Sequence, residues 1–269
     1  MTQSLEGENI DSLGKLDGFR VEIKSDEARG DIVLDRPPLN IIRMPQRNQM
    51  SAAFEALDND DRVRVIVLRG NGDNFSSGGE IKGFLEHSPE HVSRLAENVM
   101  SPERCRKPVI AAIQGYCFGV GFEFCLACDF RIVTENAFVG LPEQRIGMIP
   151  GSGGSIRLLH MIGLQRTKDM VMRSRRVSGP QAYEWGIALS CVSVAALDET
   201  VGALVKELSE FSPLAQRTSK SILNVAQDVS LHAGIQLEGE AYGRLRSSHD
   251  FREGVESFHE KRKADYDGT

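Results

Sequence analysis

The chain has 269 residues, of which 41% are hydrophobic and 26% are charged, and its formal net charge is −6. This composition is typical of a globular protein, and the length suffices for one large domain or for a domain with an appendage. The modest negative charge argues against nucleic acid or an anionic membrane surface as a partner. No segment reaches the roughly 18 apolar residues of a membrane span, so we expect a soluble protein.

The five cysteines are an odd number without the spacing of a disulfide framework. Unpaired cysteines are typical of a reducing compartment, and the sequence therefore predicts a cytoplasmic protein. Cys125 and Cys128 have the spacing of half a zinc site, but no second pair or nearby histidine would complete four ligands. We expect no metal site.

The first elements of the chain are predicted to be an unstructured start and two strands. Residues 1–18 are polar and acidic and match neither a secretory signal nor a transit peptide, so we expect them to be disordered. Residues 20–23 and 31–36 predict two strands. The second must end at Pro37 and Pro38, which cannot continue a central strand.

An amphipathic helix is predicted after Pro45, a residue that favours the first turn of a helix. One face of this helix would be apolar, with residues recurring at helical spacing: Met50, Ala53, Phe54 and Leu57. The apolar run at 64–70 then predicts a buried strand.

A glycine-rich turn joins a predicted strand to a predicted helix near the middle of the chain. The apolar run 108–113 is short and β-branched, as in a buried strand, and it leads to Gly115, Gly119 and Gly121. Glycine allows a sharp turn and a close approach between backbone and ligand. A helix beginning here would direct free N–H groups and the positive end of its dipole toward a negatively polarised oxygen. The turn therefore predicts an oxyanion site near Val120, the alternative being a turn that serves packing alone.

Two glutamates stand in apolar, glycine-rich surroundings. Glu123 lies in the first turn of the predicted helix, and Glu143 follows Pro142 ahead of a glycine-rich segment at 147–154. Either glutamate alone would be expected at the surface. Because the other acidic residues lie in mixed-charge segments, we predict that these two share one pocket.

Beyond Gly154 the sequence predicts mainly helices. The six histidines are scattered, and none forms a nucleophile motif with a serine or cysteine, so that class of hydrolase is not expected. The helices are predicted from Gly179 to Gly186, from Asp198, from Ser212, over 230–247 and over 250–263.

Several segments, in order along the chain, together resemble the enoyl-CoA hydratase/isomerase (crotonase) superfamily. Each segment is a weak indication alone, whereas their combination from about residue 30 to the C-terminus is specific. The segments are NFSSGGEIK at 74–82, GYCFGVGFEFCLACDFRIV at 115–133, GLPEQRIGMIPGSGG at 140–154 with Arg157, and DFREGVESFHEKRK at 250–263.

The resemblance implies an α/β fold in which repeated ββα turns form a spiral, followed by a C-terminal helical region that assembles trimers. Residues 19–197 would be the spiral core and residues 198–269 the helical region. The apolar residues between 230 and 263 agree with this, since a free appendage would not expose so many. The expected assembly is a homotrimer or homohexamer.

By the same resemblance, the backbone N–H groups of Ser77 and Val120 would bind the carbonyl oxygen of an acyl-CoA thioester. Many relatives have alanine at the first position and glycine at the second. Glu123 and Glu143 match the two acids that relatives with hydratase activity carry, and two carboxylates facing one water can act as base and acid. The implied reaction adds water across the α,β double bond of an enoyl-CoA. No cofactor is expected, because coenzyme A enters as part of the substrate.

The resemblance also implies which loops border coenzyme A. Lys82 or Lys261 would lie near a phosphate, the alternative being a solvated surface charge, and Arg43 and Arg47 are further candidates. Segment 83–104 would shape the acyl pocket. The residues expected to border coenzyme A or the substrate are Pro38, Leu39, Asn40, Ile41, Gly78, Gly79, Glu80, Ile81, Lys82, Gly119, Phe258 and Lys261.

Two alternatives stay open at the level of the sequence. The nearer one is another reaction on the same scaffold, namely hydratase-lyase cleavage, double-bond isomerisation or hydration of a cyclic dienoyl-CoA. An unusual acyl group is favoured by the aromatic bulk of Phe118, Phe122 and Phe124 if these side chains line the pocket. If they lie in the core instead, they give no information about the acyl group. The farther alternative is a non-catalytic acyl-CoA-binding protein.

Overall fold

Two β-sheets carry the first two thirds of the chain in the computed structural model, which describes residues 13–269. Within those residues the larger sheet has the strand order β1-β2-β3-β4-β6-β9, and only β1 and β2 pair antiparallel. The strands are β1 (Phe19–Lys24), β2 (Arg29–Leu34), β3 (Val65–Gly70), β4 (Val109–Ile113), β5 (Tyr116–Phe118), β6 (Phe130–Thr134), β7 (Phe138–Gly140), β8 (Val177–Ser178) and β9 (Ser190–Val192).

The smaller sheet contains β5, β7 and β8 and is extended by two isolated bridges, Ile42 with Gly79 and Ser76 with Cys117. Each turn of the chain therefore adds one strand to the large sheet and then a short strand or bridge to the small one. β4 is followed by β5, and β6 by β7. This repetition confirms the predicted spiral of sheet turns flanked by helices.

Helices cover the sheets and make up the C-terminal part of the chain. The first long one, α1, confirms the predicted apolar face, since Met50, Ala53, Phe54 and Leu57 are all fully buried. The helices are α1 (Met44–Asp58), α2 (Pro89–Val92), α3 (Ala96–Val99), α4 (Ser101–Arg104), α5 (Val120–Ala127), α6 (Gly154–Met172), α7 (Gly179–Glu184), α8 (Leu197–Ser209), α9 (Pro213–Ala226), α10 (Leu231–Leu245) and α11 (His249–Glu260).

Hydrophobic residues are buried on both faces of the large sheet. Because side chains alternate along a strand, Ile66 and Leu68 of β3 join the core that contains α1 and α5, whereas Val65 and Val67 join a second core. The second core is closed by α8, through Leu197, Val201, Val205 and Leu208.

The helix α8 lies at the predicted boundary between spiral core and helical region. The sequence placed residues 198–269 outside the core, but α8 covers the second face of the large sheet and belongs to it. The helices that project from the core begin with α9. The cap position of α8 is held by Ala196, and Asp198, in the first turn of the helix, pairs its carboxylate with Arg69 at 2.7 Å.

Of the N-terminal segment predicted to be disordered, residues 13–18 contact the folded core, and residues 1–12 lie outside the described part of the chain. Leu13 and Leu16 pack against the hydrophobic core, and the Asp17 carboxylate pairs with Arg36 at 2.5 Å. Two leucines spaced by three residues supply the apolar contact that a mostly polar composition concealed.

The C-terminal helices are attached to the core through a buried lysine. The ammonium group of Lys220, on α9, donates to the Pro102 carbonyl at 2.6 Å, the Lys107 carbonyl at 3.0 Å and the Asp129 carboxylate at 2.7 Å. By contrast, α10 buries only Ala241 and leaves Leu231, Ile235 and Tyr242 mostly exposed. In the described residues no helix combines the length and apolarity needed to cross a membrane.

Candidate active site

Two backbone segments meet at the start of α5. One is the loop after β3 that contains Ser77 and Gly78, and the other is the turn Gly119–Val120 between β5 and α5. A Cβ atom placed on Gly78 would lie 3.9 Å from the Cα atom of Gly119, so the two segments are in contact. Gly119 has φ 51° and ψ −131°, a conformation that side chains with a Cβ atom resist. The glycine turn thus positions the first residue of the helix.

The N–H group of Val120 is available to a ligand. It lies in the first turn of α5, where helix N–H groups have no partner in the preceding turn, and it donates no hydrogen bond within the described residues. The positive end of the helix dipole adds to its attraction for a negatively polarised oxygen.

The N–H group of Ser77, the second predicted donor, is not free as that of Val120 is. It donates to the Leu39 carbonyl at 2.8 Å, so the protein itself occupies the second predicted donor. A substrate oxygen would have to displace that carbonyl or share the N–H with it. The role of Ser77 as an oxyanion donor accordingly stays a prediction.

Glu123 is an internal carboxylate with a fixed orientation. Its side chain belongs to the first turn of α5 and is only 3% exposed. Its Oε1 atom accepts hydrogen bonds from the backbone N–H groups of Ser152, at 2.8 Å, and Gly154, at 3.1 Å. Gly154 begins α6, and a Cβ atom there would lie 2.9 Å from the Cγ atom of Glu123. Oε1 is therefore held in place, and Oε2 is left to interact with other groups.

Glu143 lies beside the glycine turn at the start of a short 3-10 helix, Glu143–Ile146. A Cβ atom on Gly119 would be 3.1 Å from its Oε1 atom, and its Oε2 atom is buried without a hydrogen-bond partner in the described chain. Burial raises the pKa of Glu143 to about 7, and the nearby charge of Glu123 contributes in the same direction. At neutral pH this carboxyl group is thus poised between its protonated and ionised forms.

Arg47, on α1, also reaches this region and is only 2% exposed. Its Nη2 atom lies 3.5 Å from where a Cβ atom on Gly79 would stand, and its Cζ atom is 5.6 Å from the centre of the Phe84 ring. Burial lowers the pKa of Arg47 to about 10, although the Glu123 carboxylate acts in the opposite direction. The guanidinium group is still a cation at neutral pH.

Buried Glu123 and half-buried Glu143 lie beside a free helix N–H, which is the arrangement that the sequence resemblance implied. The family model described as enoyl-CoA hydratase/isomerase matches residues 26–269. The chain belongs to the enoyl-CoA hydratase/isomerase family. Members of this crotonase superfamily act on acyl-CoA thioesters, so the predicted recognition and substrate class are confirmed at the level of the family.

Individual relatives carry more than one activity in their names. A protein of Arabidopsis thaliana named probable enoyl-CoA hydratase 2, mitochondrial, is 31% identical over 251 residues, which are 91% of this chain and 83% of the relative. The carnitinyl-CoA dehydratase of Proteus mirabilis (strain HI4320) is 33% identical over 246 residues, covering 88% and 94% of the two chains. The crystal structure of an enoyl-CoA hydratase from Bacillus anthracis has a TM-score of 0.87 and 31% identity, covering 94% of this chain and 100% of that one.

Two of the segments predicted to border coenzyme A, residues 38–41 and 78–82, meet where the Ser77 N–H donates to the Leu39 carbonyl. Pro38 and Leu39 are exposed and Ile41 is half-buried, whereas the Asn40 side chain is internal. The Asn40 amide donates to two backbone carbonyls and accepts from the Arg36 N–H, so it holds the loop together and faces no ligand. Gly78 to Lys82 follow the Ser77 segment, with Ile81 and Lys82 exposed and the Glu80 carboxylate 3.3 Å from Arg43.

Phe258 and Lys261 are not brought together with the acid pair of their own chain. Phe258 is 80% exposed near the end of α11, and Lys261 is exposed directly after that helix. The contacts that hold α11 and the following tail run instead to Ser212, Glu210 and Arg64. A contact of these two residues with coenzyme A stays a prediction.

The three phenylalanines around the glycine turn contribute to packing. Phe122 and Phe124 are fully buried in the main core, and Phe118 is 5% exposed beneath the guanidinium of Arg176, whose Cζ lies 4.8 Å from the ring centre. The argument for an unusual acyl group from aromatic bulk therefore loses its support at Phe122 and Phe124.

One group of possible metal ligands exists among the described residues, and it lies away from the acid pair. His249, Asp250 and Asp267 each offer one ligand atom, all within 4.8 Å of one another. Asp250 already accepts from the backbone N–H groups of Asp267 and Gly268 and from the Ser212 hydroxyl, so these bonds explain its position without a metal.

Three contributors to the site were missed from the sequence. The N–H groups of Ser152 and Gly154 orient Glu123, and the only signal for them was the glycine-rich segment after Glu143. Arg47 was considered only as a phosphate contact, although its spacing of three residues from Met50 places both on the buried face of α1.

Proposed function

We propose that this protein is an enoyl-CoA hydratase that adds water across the α,β double bond of an acyl-CoA thioester. The observation that carries the proposal is the unequal pair of acids, with Glu123 buried and held by two amides and Glu143 half-buried with a raised pKa. Hydration needs one group to take a proton from water and another to give a proton to carbon, and two acids with different environments meet that need.

In the proposed reaction, the thioester carbonyl oxygen binds at the Val120 N–H, with Ser77 as the second donor once the Leu39 carbonyl yields. Negative charge that develops on this oxygen is stabilised by donors already in place, and one such donor typically contributes about 10²–10³ in rate. The β carbon of the bound substrate thereby becomes electrophilic.

Glu123 then acts as the base and Glu143 as the acid. With Oε1 fixed by two amides, the Oε2 atom of Glu123 takes a proton from water as the water oxygen bonds to the β carbon. Protonated Glu143, which lies against the glycine turn at Gly119, gives its proton to the α carbon. The proton on Glu123 must return to Glu143 before the next turnover, and the sum is the addition of one water.

The proposal extends to assembly and location. The exposed apolar face of α10 and the exposed Phe258 support a homotrimer or homohexamer in which Phe258 and Lys261 border the coenzyme A site of a neighbour. All five cysteines are free, which supports a cytoplasmic location. No cofactor beyond the substrate's coenzyme A takes part in the proposed reaction.

A second candidate is the reverse reaction on a hydroxyacyl-CoA. It is favoured by the relatives named carnitinyl-CoA dehydratase, at 33–34% identity. The same acids would serve, because each proton transfer runs backward along the same path. Three further reactions would use the same oxyanion site but are less favoured than these two candidates. They are hydratase-lyase cleavage, isomerisation and hydration of a cyclic dienoyl-CoA.

Steady-state assays with straight-chain, aromatic and alicyclic enoyl-CoA thioesters, and with the corresponding hydroxyacyl-CoA thioesters, test the proposal. We expect a product heavier by one water from at least one enoyl-CoA. A product of equal mass would instead identify an isomerase, and a shortened thioester would identify a lyase. Tight binding of these thioesters without turnover of any of them would identify a non-catalytic binding protein.

A further inference from the structure

The buried guanidinium of Arg47 lacks the acceptors that such a group normally has. Its Nε and Nη1 atoms are buried without any hydrogen-bond partner in the described chain. Buried polar groups are ordinarily paired, and an unpaired buried charge is unfavourable. The Phe84 ring lies 5.6 Å from Cζ and makes a cation–π contact with one face of the guanidinium. This contact does not provide a hydrogen-bond acceptor for the N–H groups, which point outward in the plane of the guanidinium.

The nearest carboxylate does not supply the missing acceptors. Glu123 is close enough to favour the charged form of Arg47, yet no hydrogen bond joins the two side chains. The Oε1 atom of Glu123 is directed to the amides of Ser152 and Gly154 instead. Arg47 therefore interacts electrostatically with Glu123 and is not neutralised by a direct ion pair.

The position of Arg47 places these free donors where an acyl group would bind. Its Nη2 atom lies 3.5 Å from where a Cβ atom on Gly79 would stand, two residues after Ser77, and the Glu123 carboxylate is near enough for its charge to act on the guanidinium. A thioester held at Val120 with its double bond between the acids would thus extend its acyl group into the region that Arg47 borders. Arginine prefers carboxylates among oxygen acceptors, since its donors match their geometry and charge.

We propose that Arg47 binds a carboxylate on the acyl group, so that the preferred substrates are CoA thioesters whose acyl chains end in a carboxylate. This inference rests on the proposed function for the placement of the thioester, and it names the substrate class of that site. Arg47 would then determine specificity, and bound substrate would complete its hydrogen bonds.

Binding measurements test this inference without requiring turnover. Isothermal titration calorimetry would compare saturated acyl-CoA thioesters in pairs of matched chain length, one ending in a methyl group and one in a carboxylate. The wild-type protein should bind the carboxylate member of at least one pair about tenfold more tightly or better. Arg47→Met should weaken that carboxylate-ended ligand by about 30-fold or more, as expected when one partner of a buried charge pair is truncated.

The comparison of the two ligands separates specificity from other roles of Arg47. If Arg47 served only to hold Glu123 or to fill space, Arg47→Met would weaken both members of a pair equally, and the inference would be overturned. Equal binding of both members by the wild-type protein at every chain length would overturn it as well. Arg62→Met, on the exposed loop after α1, is the matched control and should change neither affinity.

Two further measurements keep the test decisive. Thermal melting should place Arg47→Met at or above the wild type, because replacing an unpaired buried charge by an apolar side chain is not destabilising. If that variant fails to fold, Arg47→Lys, which keeps the charge and loses the planar donors, should show a reduced preference for the carboxylate.

A hydration assay on the corresponding enoyl-CoA pairs distinguishes failure of this inference from failure of the proposed function. Preference without hydration would refute the proposed function alone, and hydration without preference would refute the role of Arg47 alone.

Discussion

The Glu143 carboxylate lies so close to Gly119 that a Cβ atom on that glycine would stand 3.1 Å from Oε1. The residue that turns the chain into α5 thus also makes room for an acid of the site. Because Gly119 immediately precedes the free N–H of Val120, the proposed proton donor and the proposed oxyanion donor are fixed by the same turn.

Removing either acid should stop hydration while leaving the thioester bound. We expect Glu123→Gln and Glu143→Gln each to lower kcat by at least about 10²-fold, the lower end for general acid–base catalysis. The dissociation constant of a saturated acyl-CoA should change little, since neither acid is proposed to hold coenzyme A. Glu135→Gln, an exposed glutamate after β6, is the matched control. Near-full activity in either active-site variant would remove that residue from the mechanism.

The pH dependence should report the protonation of Glu143. A carboxyl group with a pKa of about 7 is protonated below that value, and the proposed acid must be protonated, so kcat/KM should fall as the pH rises through about 7. In Glu123→Gln the residual activity should begin to fall at a lower pH than in the wild type. The reason is that the Glu123 charge is one of the causes that raise the pKa of Glu143, and the variant removes it. A profile that rises through neutral pH would instead make Glu143 the base.

Gly154 should matter because a side chain there would displace Glu123. A Cβ atom on Gly154 would lie 2.9 Å from Cγ and 3.1 Å from Oε1 of Glu123, so Gly154→Ala must move the carboxylate. A displacement of about 1 Å in a catalytic group can cost about 10²-fold in rate, and we expect a kcat loss of that order. Gly151→Ala is the matched control, since a Cβ atom there meets nothing within 4 Å. Equal rates for the two alanine variants would show that a Cβ atom at position 154 does not displace the Glu123 carboxylate from its working position.

The backbone N–H of Val120 can be removed without disturbing the helix. Val120 is the first helical residue of α5, a position that favours proline, so Val120→Pro should fold while losing the donor. We expect kcat/KM to fall by about 10²–10³-fold in this variant. Val120→Ala keeps the N–H group and should retain most of the rate. Circular dichroism would establish that both variants are folded, and a folded, fully active proline variant would exclude Val120 from the oxyanion site.

Local patterns in the sequence predicted the strands and the glycine turn, because each depends on neighbouring residues, whereas the joint role of Glu123 and Glu143 stays a prediction. The amide cradle of Glu123 could not be predicted in this way, since Ser152 and Gly154 are 29 and 31 residues further along and are brought there by α6. The occupied N–H of Ser77 depends on the Leu39 carbonyl of a distant loop and was equally hidden.

Arg47 and α8 show a second limit of sequence reasoning. Helical spacing from Met50 does place Arg47 on the buried face of α1, but an arginine is ordinarily assigned to the surface by its charge. The amphipathic α8 was predicted correctly as a helix, yet its pattern does not specify which surface covers it. Only the second hydrophobic face of the large sheet explains why α8 belongs to the core.

The last prediction concerns the uncovered apolar face of α10, which includes Leu231, Ile235 and Tyr242. We expect light scattering to give a mass near three or six times that of one chain, because this face is then buried between subunits. Ile235→Asp should shift the mass toward the monomer, since a carboxylate in a subunit interface would be desolvated. Gln236→Asp introduces the same side chain at the adjacent exposed position of the helix and should leave the assembly intact. A wild-type protein that remains monomeric and fully active would show that α10 needs no partner and that Phe258 completes no neighbouring site.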